Sequence, residues 1–179
     1  MKVRTDHIKD VARQFSFTEP AESFPMLADF AGQGECRFTG SITTDLSIRY
    51  EGGHFRVEGR VQAPVQVSCS RCLASFEQLL DSRFTIIFRE GNASHEEEDE
   101  VELEEQDLVS ASYSGDELDL LPEIGEQVAL AVPLKPLCSD RCKGLCPACG
   151  ADLNAAECGC SREPVNLKFS ALKDFKVRS

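Results

Sequence analysis

The sequence predicts an α+β fold, in which an antiparallel β meander with one packed helix precedes a small C-terminal module rich in cysteine. Three observations support this prediction. Apolar and polar residues alternate on both sides of a Gly-Gly pair at 52–53, an amphipathic stretch covers about 116–131, and six of the nine cysteines lie within 138–160. Period-two alternation is typical of half-buried strands, whereas a 3.6-residue period is typical of helices. We therefore expect two parts, residues 1–134 and 135–179, with the second packed on the first and ending in a C-terminal helix.

The clearest predicted element is a β-hairpin that turns at the Gly-Gly pair. Apolar residues occupy even positions before the turn and odd positions after it: Phe38, Ile42, Leu46, Ile48, Tyr50, Phe55, Val57, Val61, Val65 and Val67. A two-residue loop aligns positions whose numbers sum to 105, so Tyr50 faces Phe55 and Ile48 faces Val57. Both apolar sets then lie on one face of the hairpin and form the expected core.

The same register extends to the ends of the two strands, where it places Cys36 opposite Cys69 in the absence of a bulge. Gly40 and Gly59 are expected to mark bends or bulges, because glycine within a strand often does so. Further strands are predicted at residues 15–17, at about 76–89 and at 107–113.

An acidic segment at about 90–107 interrupts the predicted strands and holds eight carboxylates within 96–105. A solvated loop is the expected structure for such a charge run, and a docking site for a basic partner is the alternative. A helix should follow over about 116–131, capped by Asp116 or Asp119, since these side chains accept hydrogen bonds from free backbone N–H groups. Its predicted buried stripe consists of Leu121, Ile124, Val128 and Ala131.

Eight cysteines form four close pairs, at 69/72, 138/142, 146/149 and 158/160. The Cys-Pro-Ala-Cys-Gly run at 146–150 is typical of a metal site, because two thiolates three residues apart can hold one ion. The glycine that follows can take the positive φ that turns backbone N–H groups toward the sulfurs. A compact, zinc-ribbon-like site is therefore predicted from Cys146, Cys149, Cys158 and Cys160.

Two allocations remain for the other four paired cysteines, which are Cys69, Cys72, Cys138 and Cys142. They form a second metal site that joins the C-terminal module to the hairpin, or they stay as free thiols or a weaker site. Zinc is the expected ion, in one or two copies, with an iron–sulfur cluster as the alternative. A structural role is expected, because four thiolates leave no open coordination position for catalysis. Cys36 is expected to be a small core residue.

A thiol oxidoreductase is the enzymatic alternative, with Cys69 and Cys72 as its reactive pair. Such a motif normally sits at a helix N-terminus, which lowers the pKa of the first thiol. Here the pair follows a long predicted strand. The sequence also lacks a Gly-rich phosphate loop and a Ser-centred nucleophile elbow. We therefore predict a non-enzymatic protein without catalytic residues.

The net charge of −12 is unevenly distributed along the chain. Residues 1–134 carry 11 Lys/Arg and 26 Asp/Glu, whereas residues 135–179 carry eight and five. The acidic part should repel nucleic-acid backbones, so a basic protein is the favoured partner. Direct RNA contact is expected only through the basic C-terminal segment, which includes Lys168, Lys173, Lys176 and Arg178. No run is apolar enough for a signal peptide or a membrane span, so a cytoplasmic location with reduced thiols and no membrane contact is expected.

Four stretches carry a family resemblance: VSCSRCLASFE, GDELDLLPEIGEQVALAVPLKPLC, CKGLCPACGADLN and the closing CGC. Together they resemble the bacterial YceD family, whose members are described as large ribosomal RNA subunit accumulation proteins. The resemblance covers roughly residues 35–175 and implies a non-enzymatic factor that supports accumulation of large-subunit ribosomal RNA in ribosome biogenesis. With the charge distribution, it favours a basic ribosomal protein or assembly factor as the partner. The remaining alternative is a zinc-stabilised protein-interaction module unrelated to ribosomes.

Overall fold

The computed structural model describes residues 1–27, 36–91 and 110–160. Within these ranges a mixed, mostly antiparallel sheet packs against a helix, so the α+β class is confirmed in its coarse form. The strands are β1 Lys2–Arg4, β2 Arg13–Glu19, β3 Cys36–Phe38, β4 Ile42–Glu51, β5 His54–Ser68, β6 Ser75–Glu90, β7 Ser110–Tyr113 and β8 Glu117–Asp119. The helix α1 covers Leu121–Ala131, and Ala21–Ser23 forms a turn of 3-10 helix.

The main sheet has the strand order β2-β4-β5-β6-β7, and β3 pairs with the end of β5 that β4 leaves free. The strands β1 and β8 form a separate two-stranded ribbon. The predicted antiparallel meander is wrong at β7, which runs parallel to β6 with Ile87 beside Ser110. A parallel pair requires a crossover, and the long connection between Glu90 and Ser110 permits one.

The predicted hairpin of β4 and β5 is confirmed in its register. Tyr50 pairs with Phe55 and Ile48 pairs with Val57. The turn residues Gly52 and Gly53 have φ values of 56° and 85°, which suits a two-residue turn that matches the twist of the strands. Most of the alternating apolar residues are buried in the core as expected, including Ile48 and Val57, whereas Phe38 is half-buried and Tyr50 is 37% exposed.

The predicted pairing of Cys36 with Cys69 is wrong, because Cys36 lies opposite Val67. Two extra residues interrupt the ladder between β3 and β4 and shift its register by two positions. The interruption includes Gly40, where an added Cβ would lie 2.9 Å from the Pro64 ring. The expected irregularity at Gly40 is therefore confirmed. Cys36 is buried in the core.

Gly59 does not mark a bulge, so that part of the prediction is wrong. The ladder runs without interruption through this position, where Leu46, Gly59 and Phe84 lie side by side on three strands. A Cβ at Gly59 would lie 2.7 Å from Leu46 Cδ2 and 2.8 Å from Phe84 Cε2. The glycine therefore makes room for two large core side chains.

The helix begins at Leu121 rather than at about 116, so the predicted start is wrong. Residues 117–119 are extended because they form β8 and pair with β1. Of the two candidate caps, Asp119 accepts a hydrogen bond of 3.1 Å from the Leu121 N–H. Ile124 and Val128 face the core as predicted, and the helix ends before Pro133.

Some predictions lie outside the described residues. These are the acidic segment from residue 92 onward, and the basic C-terminal segment beyond residue 160 with the helix predicted there. The division of the chain at residue 134 also stays a prediction. Among the described residues, no helix has the length and apolar character needed to cross a lipid bilayer.

Candidate metal centre

The turn between β5 and β6 presents the first pair of cysteines. The Cys69 N–H donates to the Ala74 carbonyl at 2.9 Å, and the Leu73 N–H donates to the Cys69 carbonyl at the same distance. Leu73 has a φ of 61°, an uncommon value for a residue other than glycine. This turn directs the Arg71 N–H to the Cys69 sulfur at 3.4 Å. The turn therefore orients a backbone donor toward a thiol.

The segment after α1 brings the second pair of cysteines to this turn. The Ser70 N–H donates to the Pro136 carbonyl at 2.8 Å, which fixes the segment beside the turn. The Cys69 and Cys142 sulfurs are then 3.8 Å apart, and the Cys72 and Cys138 sulfurs are 3.7 Å apart. All four Sγ atoms lie within 4.8 Å of one another. The structure thus brings together the four residues of the predicted long-range set, here called the hairpin site.

The sulfur spacing fits a metal ion better than a disulfide. Four sulfurs at about 2.3 Å from a tetrahedral ion lie about 3.8 Å apart, whereas a disulfide bond is about 2.05 Å long. All nine cysteines are free of disulfide bonds. Three cysteines of the hairpin site are buried with the apolar side chains of Phe76, Leu137 and Leu145 around them. Only Cys138 of this set is exposed.

The compact site contains the other four predicted cysteines, Cys146, Cys149, Cys158 and Cys160. Their Sγ atoms also lie within 4.8 Å of one another. The Gly150 N–H donates to the Cys146 carbonyl at 2.8 Å, and Gly150 has the positive φ, 74°, that its position after the second cysteine predicts. Cys149 is exposed and Cys158 and Cys160 are half-buried, so this site lies nearer to solvent than the hairpin site.

Arg71 joins the cysteine-rich segment to the hairpin, a contact that was not predicted from the sequence. Its carbonyl accepts a hydrogen bond of 3.1 Å from the Leu145 N–H, and its guanidinium donates to the Cys142 carbonyl at 3.0 Å. A Cβ at Gly144 would lie only 3.0 Å from the Arg71 carbonyl oxygen, and Gly144 has a φ of 74°, a backbone conformation that favours glycine. The only sequence signal for Arg71 is its position between two ligand cysteines.

In the hairpin site, neighbouring groups lower the pKa of one cysteine and raise the pKa of another. The backbone N–H groups of Cys138 and Cys72 lower the pKa of Cys69 to about 6. The neighbouring sulfurs of Cys72 and Cys142 raise the pKa of Cys138 to about 12. A full set of four thiolates would therefore require a cation to offset their mutual repulsion.

The compact site shows the same contrast. The backbone N–H groups of Cys149 and Ala148 lower the pKa of Cys146 to about 6. The pKa of Cys160 is raised to about 12, mainly by the neighbouring Cys149 sulfur. Four crowded sulfurs with amide donors directed at one of them are the arrangement that a thiolate-bound cation requires.

An open groove lies beside the hairpin site, between the end of α1 and the end of β5. It has a volume of about 540 Å³ and is lined by Ser68, Ser70, Ala129, Leu130, Val132, Pro133, Leu134 and Pro136. Leu130 is 77% exposed and Leu134 is 99% exposed. This groove was not predicted from the sequence, because its lining combines residues 68–70 and 129–136, which are far apart along the chain. Exposed leucines beside a groove are typical of a protein-binding surface.

The fold and the two cysteine sets define a sheet protein with paired four-cysteine sites at one end of a long hairpin. The family model described as "Large ribosomal RNA subunit accumulation protein YceD" matches residues 57–176, which include both sets. The chain belongs to the YceD family. The resemblance found in the sequence is therefore confirmed.

Curated relatives agree with this assignment at modest identity. The chain is similar to the large ribosomal RNA subunit accumulation protein YCED homolog 1, chloroplastic, of Arabidopsis thaliana, with 26% identity over 141 residues, 68% of this chain and 44% of the relative. The maize protein of the same name is 24% identical over 74% of this chain and 52% of its own. An uncharacterized protein of Mycobacterium bovis is 31% identical over 75% of this chain and 61% of its own. The chain thus spans about half the length of these relatives, and no solved structure matches it.

Proposed function

We propose that the protein is a non-enzymatic factor that supports the accumulation of large-subunit ribosomal RNA during ribosome biogenesis. The observation that carries this proposal is the family match over residues 57–176. The plant relatives bear names that state this role. The cysteine geometry supports a structural rather than a catalytic contribution of the matched region.

Zinc is the ion that we assign to both four-cysteine sites. Four thiolates in tetrahedral spacing are the usual ligand set of structural zinc, and they leave no position for a substrate or a reactive water. This supports a non-enzymatic role and argues against Cys69 and Cys72 as an oxidoreductase pair. Each of the two sulfurs instead lies within 4 Å of a cysteine from a distant segment.

The two ions would hold the cysteine-rich segment on the hairpin. Beyond residue 132, the buried residues of the described chain are Cys142, Gly144, Cys146 and Leu153, so Leu153 is the one large apolar side chain among them. Apolar burial alone therefore gives this segment little stability. A structural zinc ion contributes on the order of 10–16 kcal/mol at neutral pH, which exceeds the stability of many whole domains.

The proposed partner is a basic ribosomal protein or a basic assembly factor. The chain carries a net charge of −12, which attracts a basic protein and opposes contact with phosphate groups. The leucine-lined groove at the end of α1 supplies the apolar part of the interface. An apolar segment with flanking basic residues would satisfy both features.

Two measurements test this proposal. Cells that lack the protein should accumulate less large-subunit ribosomal RNA and fewer large subunits, and the wild-type gene should restore both. The purified protein should bind basic large-subunit proteins or assembly factors in a salt-dependent manner and should bind naked ribosomal RNA weakly.

Replacement of two exposed leucines gives a matched comparison for the groove. Leu134→Glu should weaken partner binding by about tenfold or more, because it places a charge in an apolar contact. Leu79→Glu is the control, since Leu79 is 56% exposed and does not line the groove. Tight binding to naked ribosomal RNA without binding to any basic protein would contradict the proposed partner. Normal large subunits in cells that lack the protein would favour an interaction module unrelated to ribosomes.

A further inference from the structure

Asn154 contacts the hairpin site although it belongs to the loop of the compact site. Its side-chain amide N–H donates to the Cys142 sulfur at 3.4 Å, and its amide oxygen accepts from the Lys143 N–H at 2.7 Å. In the sequence it lies between Cys149 and Cys158, two cysteines of the compact site. One side chain therefore connects the two four-cysteine sets.

Neighbouring groups hold this amide in position. The Asp152 carboxylate accepts hydrogen bonds from the Asn154 backbone N–H at 2.9 Å and from its side-chain N–H at 2.8 Å. The adjacent Leu153 is buried, and its N–H donates to the Gly144 carbonyl at 3.0 Å. The amide therefore reaches the Cys142 sulfur only when residues 150–157 hold this loop conformation.

We propose that Asn154 couples metal binding at the two sites, an inference that rests on the metal binding proposed above. An ion in the compact site joins Cys149 to Cys158 and closes the loop that carries Asn154. The ordered amide then stabilises the negative charge of the Cys142 thiolate, which favours an ion in the hairpin site. Because binding linkage is reciprocal, an ion in the hairpin site raises the affinity of the compact site by the same factor.

The chemistry of the side chain explains why asparagine serves this purpose. An amide offers a donor for the sulfur and an acceptor for the Lys143 N–H at the same time. An aspartate keeps the acceptor and the shape, but it loses the donor and places a negative charge beside the thiolate. Asn154→Asp therefore removes the N–H donor to the Cys142 sulfur and the donor to Asp152, and it keeps the acceptor for the Lys143 N–H.

Zinc titration of the full-length protein, followed by native mass spectrometry, measures the coupling directly. In the wild type, the fraction of protein with a single bound ion should stay below the fraction expected if the two sites bound zinc independently. In Asn154→Asp, this single-ion fraction should rise to the value for independent sites. The zinc affinity of the hairpin site should also fall by about tenfold, which is within the range known for residues that hydrogen-bond to metal ligands. Ala155→Asp is the matched control, since it adds the same charge one residue further on and should leave the populations unchanged.

Cobalt substitution reports on the Cys142 sulfur itself. The sulfur-to-cobalt charge-transfer band of the hairpin site should move to longer wavelength in Asn154→Asp, because a thiolate without its N–H donor is richer in electrons. A loop-holding role alone would not move this band. Cys158→Ser/Cys160→Ser gives a second approach, since removal of the compact site should weaken the hairpin site by a similar factor.

The outcomes distinguish the two proposals. Two ions that bind independently in the wild type, or an Asn154→Asp variant with unchanged populations and spectrum, would overturn the coupling and leave the metal sites in place. A wild-type protein that binds no zinc would overturn both the metal sites and the coupling.

Discussion

At Gly59, the absence of a side chain determines how three strands pack. The ring of Phe84 and the side chain of Leu46 occupy the space that a Cβ would need. Phe84 is 9% exposed and Leu46 is 1% exposed, so both side chains are held within the core. Neither can move aside without disturbing its own contacts, because protein interiors are closely packed.

Gly59→Ala should therefore destabilise the protein by roughly 1–3 kcal/mol, the usual effect of overpacking a core. The urea midpoint of the β-sheet circular dichroism signal measures this change. Gly91→Ala is the control, since its nearest neighbour outside the adjacent residues is 4.0 Å away. An alanine at position 59 that unfolds at the same urea concentration as the wild type would contradict this account of the glycine.

The sequence was sufficient to predict the eight cysteines of the two sets but not the residues that orient them. Spacing identifies ligands because two thiolates must reach one ion from a short turn. Arg71 and Asn154 make their contacts with residues 142–145, and for Arg71 these are about seventy positions away along the chain. Such contacts depend on how the segments dock, which no local pattern predicts.

Among the strands and the helix, the features that depend on residues close in sequence were predicted from local patterns. The Gly-Gly turn and the period-two pattern fixed the register of β4 and β5. The shift at Gly40 was not predictable in size, because the number of extra residues in a bulge is set by packing around it. The parallel pairing of β7 and the short ribbon of β1 and β8 were also missed, since both depend on partners far apart in sequence.

One face of the helix α1 packs against the core, so a buried residue and an exposed residue of the same helix can be compared. Ile124 is 1% exposed, whereas Leu130 is 77% exposed on the same helix. Ile124→Ala should lower the free energy of unfolding by about 2–5 kcal/mol, because it removes buried methyl groups and leaves a cavity. Leu130→Ala should change it by less than about 0.5 kcal/mol. Equal effects of the two replacements in urea denaturation would contradict the proposed orientation of the helix.

In the whole molecule, the long hairpin separates the Gly-Gly turn at one end from the cysteine sites and the groove at the other. The strand β5 has 15 residues, so its ends lie about 50 Å apart. The Gly-Gly turn is at one end, and both four-cysteine sets are at the other, next to the leucine-lined groove. In the proposed function, the ions hold the cysteine-rich segment so that the groove keeps its shape for a basic partner.

The zinc content of the intact protein tests this account most directly. Native mass spectrometry at saturating zinc should find two ions in the wild type. It should find one ion in Cys69→Ser/Cys72→Ser and one in Cys158→Ser/Cys160→Ser, because each pair supplies half of one ligand set. Cys36→Ala, which changes a core residue outside both sets, should retain two ions. A wild-type protein with a single ion that persists when Cys69 and Cys72 are replaced would contradict the hairpin site and the attachment that it provides.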